Sequence, residues 1–360
     1  MFYSNGGGFL QFKKPIVRLF YPFFVLASEQ NTGESTHIMI RFPVHRVSPY
    51  FANASGIGKL TPVQPPFVQP TDTSSQRAKR FAVIGDSGSG TLQQHLIGHR
   101  MWQQYQRNPF ASVVVLGDNV YEDGEPKLFQ ARIQKPYAPL FENGVNFYPV
   151  LGNHDVRKGY GEKQLSYWNV PRWYNVKLGD KGNEVELFAI DTTLMVPTYD
   201  RAYNHDLPNA ARLAAKQQQW LEEQLAASTA KYKIVYGHFP MYTSGQHAHT
   251  QKTAAPMREL LEPMLKKYGV DVYLAGHEHL YERSAPIDGV RHIVSGTAGK
   301  MGSVYQPKAR YPREALETKY QFMLFELTDN GLTFETIDRN NQIIDSGTIN
   351  KGAATTVRFA

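Results

Sequence analysis

Apolar residues along the chain fall into short runs, each ending abruptly at a glycine followed by a polar residue. Phe81 to Ile84 ends at Gly85-Asp86, Ser112 to Leu116 at Gly117-Asp118, and Phe147 to Leu151 at Gly152-Asn153-His154-Asp155. Lys233 to Tyr236 stops at Gly237-His238, and Val270 to Ala275 at Gly276-His277-Glu278-His279. Short apolar runs closed by turn signals predict buried β-strands. Between them the spacing becomes helical: Gln217 to Ala227 carries Trp220, Leu221 and Leu225, and Met257 to Lys267 carries Leu260, Leu261, Met264 and Leu265. Alternation of strand and helix predicts an α/β core. In open α/β sheets the site lies beyond the carboxyl ends of the strands, where these polar residues fall.

Toward the C-terminus the helical spacing disappears. Arg291 to Ser295, Gln321 to Leu327, Leu332 to Ile337 and Gln342 to Ile349 read as strands, split by Asp329-Asn330-Gly331 and Asn340-Asn341, and predict a meander closing a second sheet. At the other end, Thr61 to Arg80 is rich in Pro, Gln, Thr and Ser and reads as an extended linker without a packed face. Lys13 and Lys14 precede an apolar run from Leu19 to Ala27, the order of an export signal, although Arg18 and Pro22 interrupt it. Nine residues fall short of the roughly 20 needed to span a bilayer. The expected organisation is a leader over 1–79, with a signal or anchor segment near 13–28 and a linker over 61–79, then a catalytic domain over 80–350 and a tail over 351–360. A leader that is disordered, or that precedes a later start at Met39, is the alternative. The expected location is outside the cytoplasm, periplasmic or secreted, with membrane anchoring through the leader as the other arrangement.

Charge narrows the partners. Of the 39 Lys+Arg and 32 Asp+Glu, residues 1–80 hold nine and three, which leaves 30 and 29 for the remainder. A basic leader on a neutral body fits contact with anionic lipid and does not fit a nucleic-acid groove in the main domain, so no nucleic-acid partner is expected. The 360 residues contain no cysteine, which removes disulfides, thiolate ligands and cysteine nucleophiles. Any metal must be held by nitrogen and oxygen.

Gly-Asp after a strand is a common turn, and so is histidine after a strand. Their joint occurrence is what carries weight: of twelve histidines, five (His154, His238, His247, His277 and His279) lie on or just after these turns, together with Asp86, Asp118 and Asn153. A mixed set of imidazole, carboxylate, amide and phenolate suits Fe, Zn or Mn, and its size implies two ions. A pair of ions bridged by one carboxylate binds phosphate oxygens and generates hydroxide near neutral pH. The glycine run at 85–91 lacks the Lys-Ser/Thr of a P-loop, and the sequon Asn53-Ala54-Ser55 lies in the leader.

GDSG (85–88), GDNVY (117–121), GNHD (152–155), YGH (236–238) and GHEHLYER (276–283) together resemble the five motif blocks of calcineurin-like metallophosphoesterases. The Gly-Asp-x-x-Tyr form of the second block is that of the purple acid phosphatases, and residues 166–174, Asp191-Thr192 and Gln219 to Leu225 resemble the small, tartrate-resistant type. The resemblance implies a four-layer sandwich of two mixed β-sheets flanked by helices. It implies that Asp86, Tyr121 and His279 bind a ferric ion, that Asp118 bridges, and that Asn153, His238 and His277 bind a divalent ion, Fe, Zn or Mn. It also implies that His154 and His247 contact the substrate, a small phosphate ester. The expected activity is acid phosphatase action on monoesters by in-line attack of a metal-bound hydroxide, with stereochemical inversion. A phosphodiesterase or nucleotide hydrolase is the nearest alternative, and a scaffold without catalysis is a further one. Without the cysteines that relatives use, a monomer is expected.

Overall fold

The computed structural model describes residues 63–64, 77–179, 183–196, 209–248, 252–306 and 308–351. The expected signal segment at 13–28, the sequon, Met39, most of the linker and all but the first residue of the expected tail lie outside the described residues. Among the described residues no helix is long and apolar enough to cross a membrane.

Among the described residues, thirteen strands and six α-helices occur; the two types alternate at first and give way to strands at the end. In chain order the strands are β1 (Arg80–Ile84), β2 (Ser112–Val115), β3 (Asn146–Pro149), β4 (Tyr174–Leu178), β5 (Val185–Ala189), β6 (Tyr232–Tyr236) and β7 (Val272–Ala275). They continue with β8 (Tyr281–Ser284), β9 (Arg291–Ser295), β10 (Arg313–Glu317), β11 (Gln321–Thr328), β12 (Gly331–Asp338) and β13 (Ile343–Ile349). The helices are α1 (Leu92–Arg107), α2 (Ala138–Glu142), α3 (Asn153–Val156), α4 (Gly161–Trp168), α5 (Ala210–Ala227) and α6 (Ala254–Lys267). The strands form two mixed sheets, ordered β13-β12-β11-β1-β2-β3 and β10-β8-β9-β7-β6-β5-β4.

Alternation along the second sheet explains the layers. On β6, Tyr232, Ile234 and Tyr236 enter the large core that also contains Phe81, Val113, Phe147 and Phe322 of the first sheet. Val235 between them points the other way, into a core built with Leu221 and Leu225 of α5 and Met257, Leu261 and Leu265 of α6. β5 and β7 repeat the pattern, with Leu187 and Leu274 inward and Phe188 and Tyr273 outward. A strand buried on both faces belongs to a sheet covered on both sides, which is the four-layer arrangement. Tyrosine hydroxyls cross between the sheets: Tyr174 donates to the carbonyl of Pro149 at 2.7 Å, and Tyr236 to that of Tyr148 at 3.2 Å. They anchor the second sheet to β3, beside the turn that carries Asn153.

Two expectations need correction. The meander does not close a second sheet. β11 pairs antiparallel with β1, so β11, β12 and β13 extend the first sheet, while β9 lies beside β7 in the second. Periodicity reveals that strands exist, but pairing over 240 residues is decided by which face each must bury. The linker was expected to present no packed face, yet its residues Val63 and Gln64 do pack. Gln64 donates from Nε2 to the carbonyls of Phe147 (2.9 Å) and Trp168 (2.8 Å), and its Oε1 accepts from the N–H of Phe147 at 3.0 Å. Val63 adds a backbone bond to Tyr167 and packs on the core. The side-chain amide thus satisfies backbone groups along β3, an edge strand that would otherwise offer them to another chain.

Candidate metal centre

β1, β2 and β3 run parallel, and so do β5, β6, β7 and β9. Their carboxyl ends therefore deliver the Gly-polar turns to a common edge of each sheet. The chain reverses tightly there: Asp86, Asp118 and His277 have φ of 53°, 53° and 69°, a left-handed conformation uncommon outside glycine and concentrated at functional sites. The preceding glycines leave room for the ligands of other turns. A Cβ on Gly152 would stand 2.2 Å from Asp118 Oδ1, and one on Gly276 would stand 2.5 Å from Asp86 Oδ2.

All seven predicted ligands come together, in two groups. In the first, the Tyr121 hydroxyl is 2.9 Å from Asp86 Oδ1 and 3.0 Å from His279 Nε2, and His279 Nε2 is 3.4 Å from Asp86 Oδ1. In the second, Asn153 Oδ1 is 3.0 Å from His238 Nε2 and 3.1 Å from His277 Nδ1. Asp118 adjoins both groups, with Oδ1 3.5 Å from His238 Nε2 and its carboxylate beside the Tyr121 hydroxyl. Donor atoms of Asp86, Asp118 and His238 all lie within 4.8 Å of one another. Support from outside the ring of donors fixes their orientation. His238 donates from Nδ1 to the carbonyl of Leu116 at 2.8 Å, which leaves the Nε2 lone pair facing Asn153 and Asp118. The hydroxyl of Thr192 accepts from the N–H groups of His238 and Phe239, both at 3.1 Å. Asp155 accepts from the N–H groups of Gly152, Asn119 and Val120, and so ties the second and third turns together.

The electrostatics of the cluster follow from burying Asp86 and Asp118 with no ion pair to lysine or arginine among the described residues. Burial, then the charges of Asp118 and Asp86, push the Tyr121 hydroxyl well above the ordinary phenol range. Burial drives the Asp155 carboxyl up to about 7, helped by Asp118, against the pull of its N–H donors. For Asp118 burial acts upward, but His238 and His154 outweigh it and hold the carboxyl below its usual range. Burial likewise opposes charge on His238, and Asp118 with Asp86 reverses that and raises it. His277 is lowered well below the ordinary imidazole range by burial and by the neighbouring imidazoles of His238, His247 and His279.

The two predicted substrate contacts flank the cluster. The His154 ring lies 4.5 Å from that of Tyr121, its Nδ1 is 2.5 Å from the carbonyl of Glu122, and its Nε2 is 3.9 Å from Asp118 Oδ2. His247 stacks on His277 at 4.4 Å, and its backbone N–H and Nδ1 reach Glu278 Oε1 at 2.9 and 3.2 Å. Several neighbours of the donors carry no signal in their residue type. Glu278 orients His247 from within the GHEHLYER block, Arg157 approaches His154 Nδ1 at 2.9 Å, and Lys300 sits over the Tyr121 ring at 4.4 Å. Glu278 stands between two histidines at a strand end and could have been found there. Lys300 lies in a glycine-rich loop with no pattern to mark it.

The donor set fits a pair of cations. Asp86 and Asp118 are buried, and among the described residues neither is ion-paired to a lysine or arginine. Two desolvated carboxylates facing one another are costly without a compensating positive charge, and oxygen and imidazole nitrogen are the ligands of Fe, Zn and Mn.

A family model for calcineurin-like phosphoesterases matches residues 79–281. Human tartrate-resistant acid phosphatase type 5 is 29% identical over 258 residues, covering 66% of this chain and 77% of that protein. Purple acid phosphatase 17 of Arabidopsis thaliana is 32% identical over 253 residues, covering 65% and 72%. Among solved structures, the purple acid phosphatase PPD1 from yellow lupin seeds superposes with a TM-score of 0.60 at 19% identity, over 79% of this chain and 54% of that one. GAP50, described as the anchor in the inner membrane complex of Plasmodium, superposes at 0.63 with 22% identity, over 75% and 88%.

Proposed function

The chain belongs to the calcineurin-like phosphoesterases, and from that premise we propose that it is an acid phosphatase acting on phosphate monoesters through a binuclear metal centre. We further propose that the catalytic domain spans 80–350. One observation carries the reading: a single buried carboxylate, Asp118, adjoins both an Asp86–Tyr121–His279 group and an Asn153–His238–His277 group. In this reading the first group holds a ferric ion, the second a divalent Fe, Zn or Mn, and Asp118 is shared. An Asp, Asp, Tyr donor set is hard and anionic, whereas an amide with two imidazoles is neutral. When bound, the two cations would polarise the phosphoryl oxygens and acidify an attacking water.

The remaining roles belong to side chains. Glu278 accepts the Nδ1 proton of His247 and thereby leaves Nε2 as the atom that protonates the departing alkoxide. His154, held by the carbonyl of Glu122, turns Nε2 toward Asp118 and is available to the phosphoryl group. Such positioned acids contribute about 10² to 10⁴ in rate. Direct displacement by water inverts the configuration at phosphorus, and a chiral monoester that returned phosphate with retained configuration would rule that pathway out.

The test is hydrolysis of p-nitrophenyl phosphate beside bis(p-nitrophenyl) phosphate by protein loaded with iron and zinc. Preference for the monoester is expected; preference for the diester would favour the phosphodiesterase reading. Turnover of neither would favour a scaffold without catalysis, against which the complete donor set stands.

A further inference from the structure

Resting on that reading, a specificity-determining residue can be assigned from the loop that follows β9. The loop is clamped at two points. A Cβ on Gly299 would come within 2.2 Å of the Ser87 carbonyl, so the loop lies directly against the Asp86 turn, and the N–H of Gly302 bonds the carbonyl of His279 at 2.7 Å. Between these points Lys300 projects over the Tyr121 ring, 4.4 Å from its centroid, and its Nζ reaches Glu122 Oε1 at 2.9 Å. The side chain of Glu122 is 66% exposed, which makes this a surface pair. Exposed pairs contribute little and exchange readily for another anion. Arg157 and Lys158 both pair with Asp123, and Arg157 acts with Lys300 on Glu122.

We propose that Lys300 leaves Glu122 to bind a second anionic group carried by the substrate close to the scissile phosphate, and so selects phosphoryl substrates that carry such a group over esters of neutral alcohols. Because the ammonium stands against Tyr121, the second charge must lie within a few bonds of the phosphorus. A carboxylate or another phosphate in that position presents the same chemistry to lysine, a point charge with three donors.

The experiment compares ethyl phosphate, 2-phosphoglycolate and pyrophosphate in the metal-loaded wild type, Lys300→Gln and Lys300→Arg. Both kinetics and the dissociation constants of the three compounds are measured. The preference for the two compounds with a second anionic group over ethyl phosphate should fall about fivefold in Lys300→Gln, carried by KM rather than kcat, and should be largely kept in Lys300→Arg. A fall for 2-phosphoglycolate alone assigns a carboxylate, and a fall for pyrophosphate alone assigns a phosphate. A preference unchanged by Lys300→Gln, or a loss shared equally by ethyl phosphate, overturns the proposal. Should the wild type turn over none of the three, the ratio of dissociation constants still decides: dependence on Lys300 upholds the assignment while the phosphatase reading fails, and independence overturns it.

Discussion

Asp86, Asp118, Tyr121 and Asn153 all follow strands of the first sheet, whereas His238, His277 and His279 all follow β7 or β6 of the second. The first sheet thus brings oxygen donors, two of them buried carboxylates, and the second brings imidazoles. Neither is a metal site alone. Each proposed ion takes donors from both: His279 completes the Asp86–Tyr121 group, and Asn153 completes the pair of histidines. The proposed centre is thus a junction between the sheets. The charges show the same meeting of sheets: against burial, His238 of the second sheet, with His154, holds Asp118 down, and Asp118 with Asp86 raises His238.

The sharpest way to break this junction is at the residue both groups share. Asp118→Asn should lower hydrolysis of p-nitrophenyl phosphate on the order of 10⁴-fold, as for groups that act as a unit, and should reduce the metal content measured by elemental analysis. A loss below tenfold would mean that Asp118 is not shared. A smaller effect is expected where the junction is intact and only proton delivery is removed. His247→Ala and His154→Ala should each cost about 10² to 10⁴ in kcat with metal content unchanged. If either variant lost a metal, that histidine would belong among the ligands instead.

Removing the cations tests whether the junction depends on them for stability as well as for chemistry. Chelation should lower the thermal midpoint, since free metal at about 100 times its Kd stabilises by about 2.7 kcal/mol. An unchanged midpoint would mean that the imidazoles compensate the carboxylates unaided. The smallest change lies at the far edge of the first sheet. Gln64→Ala removes the amide that satisfies Phe147 and Trp168 and should destabilise by about 1 to 2 kcal/mol in urea, with kcat unaltered. Loss of activity there would show that the β3 edge communicates with Asn153.

Much of this junction is legible in the sequence because each ligand closes an apolar strand, and a strand ending in glycine and a polar residue is a local signal. What lies between sheets is not local. The placement of β11 against β1 depends on Phe325 stacking on Phe81 at 4.9 Å, across more than two hundred residues. β5 has no local signal because VELFA alternates in neither polarity nor burial, and β8 has none because Tyr281 to Ser284 reads first as the end of a ligand motif. Gln64 resembles every other polar residue of its stretch until Phe147 is beside it. Lys300 likewise has meaning only through Tyr121 and Glu122, residues brought to it by the fold.

The most direct test of the inter-sheet centre is the visible spectrum of iron-reconstituted protein, wild type beside Tyr121→Phe, with iron content determined on the same samples. A purple tyrosinate-to-iron band is expected in the wild type and should disappear in Tyr121→Phe. A band that persists in Tyr121→Phe, or a wild type that binds two iron ions without colour, would contradict it.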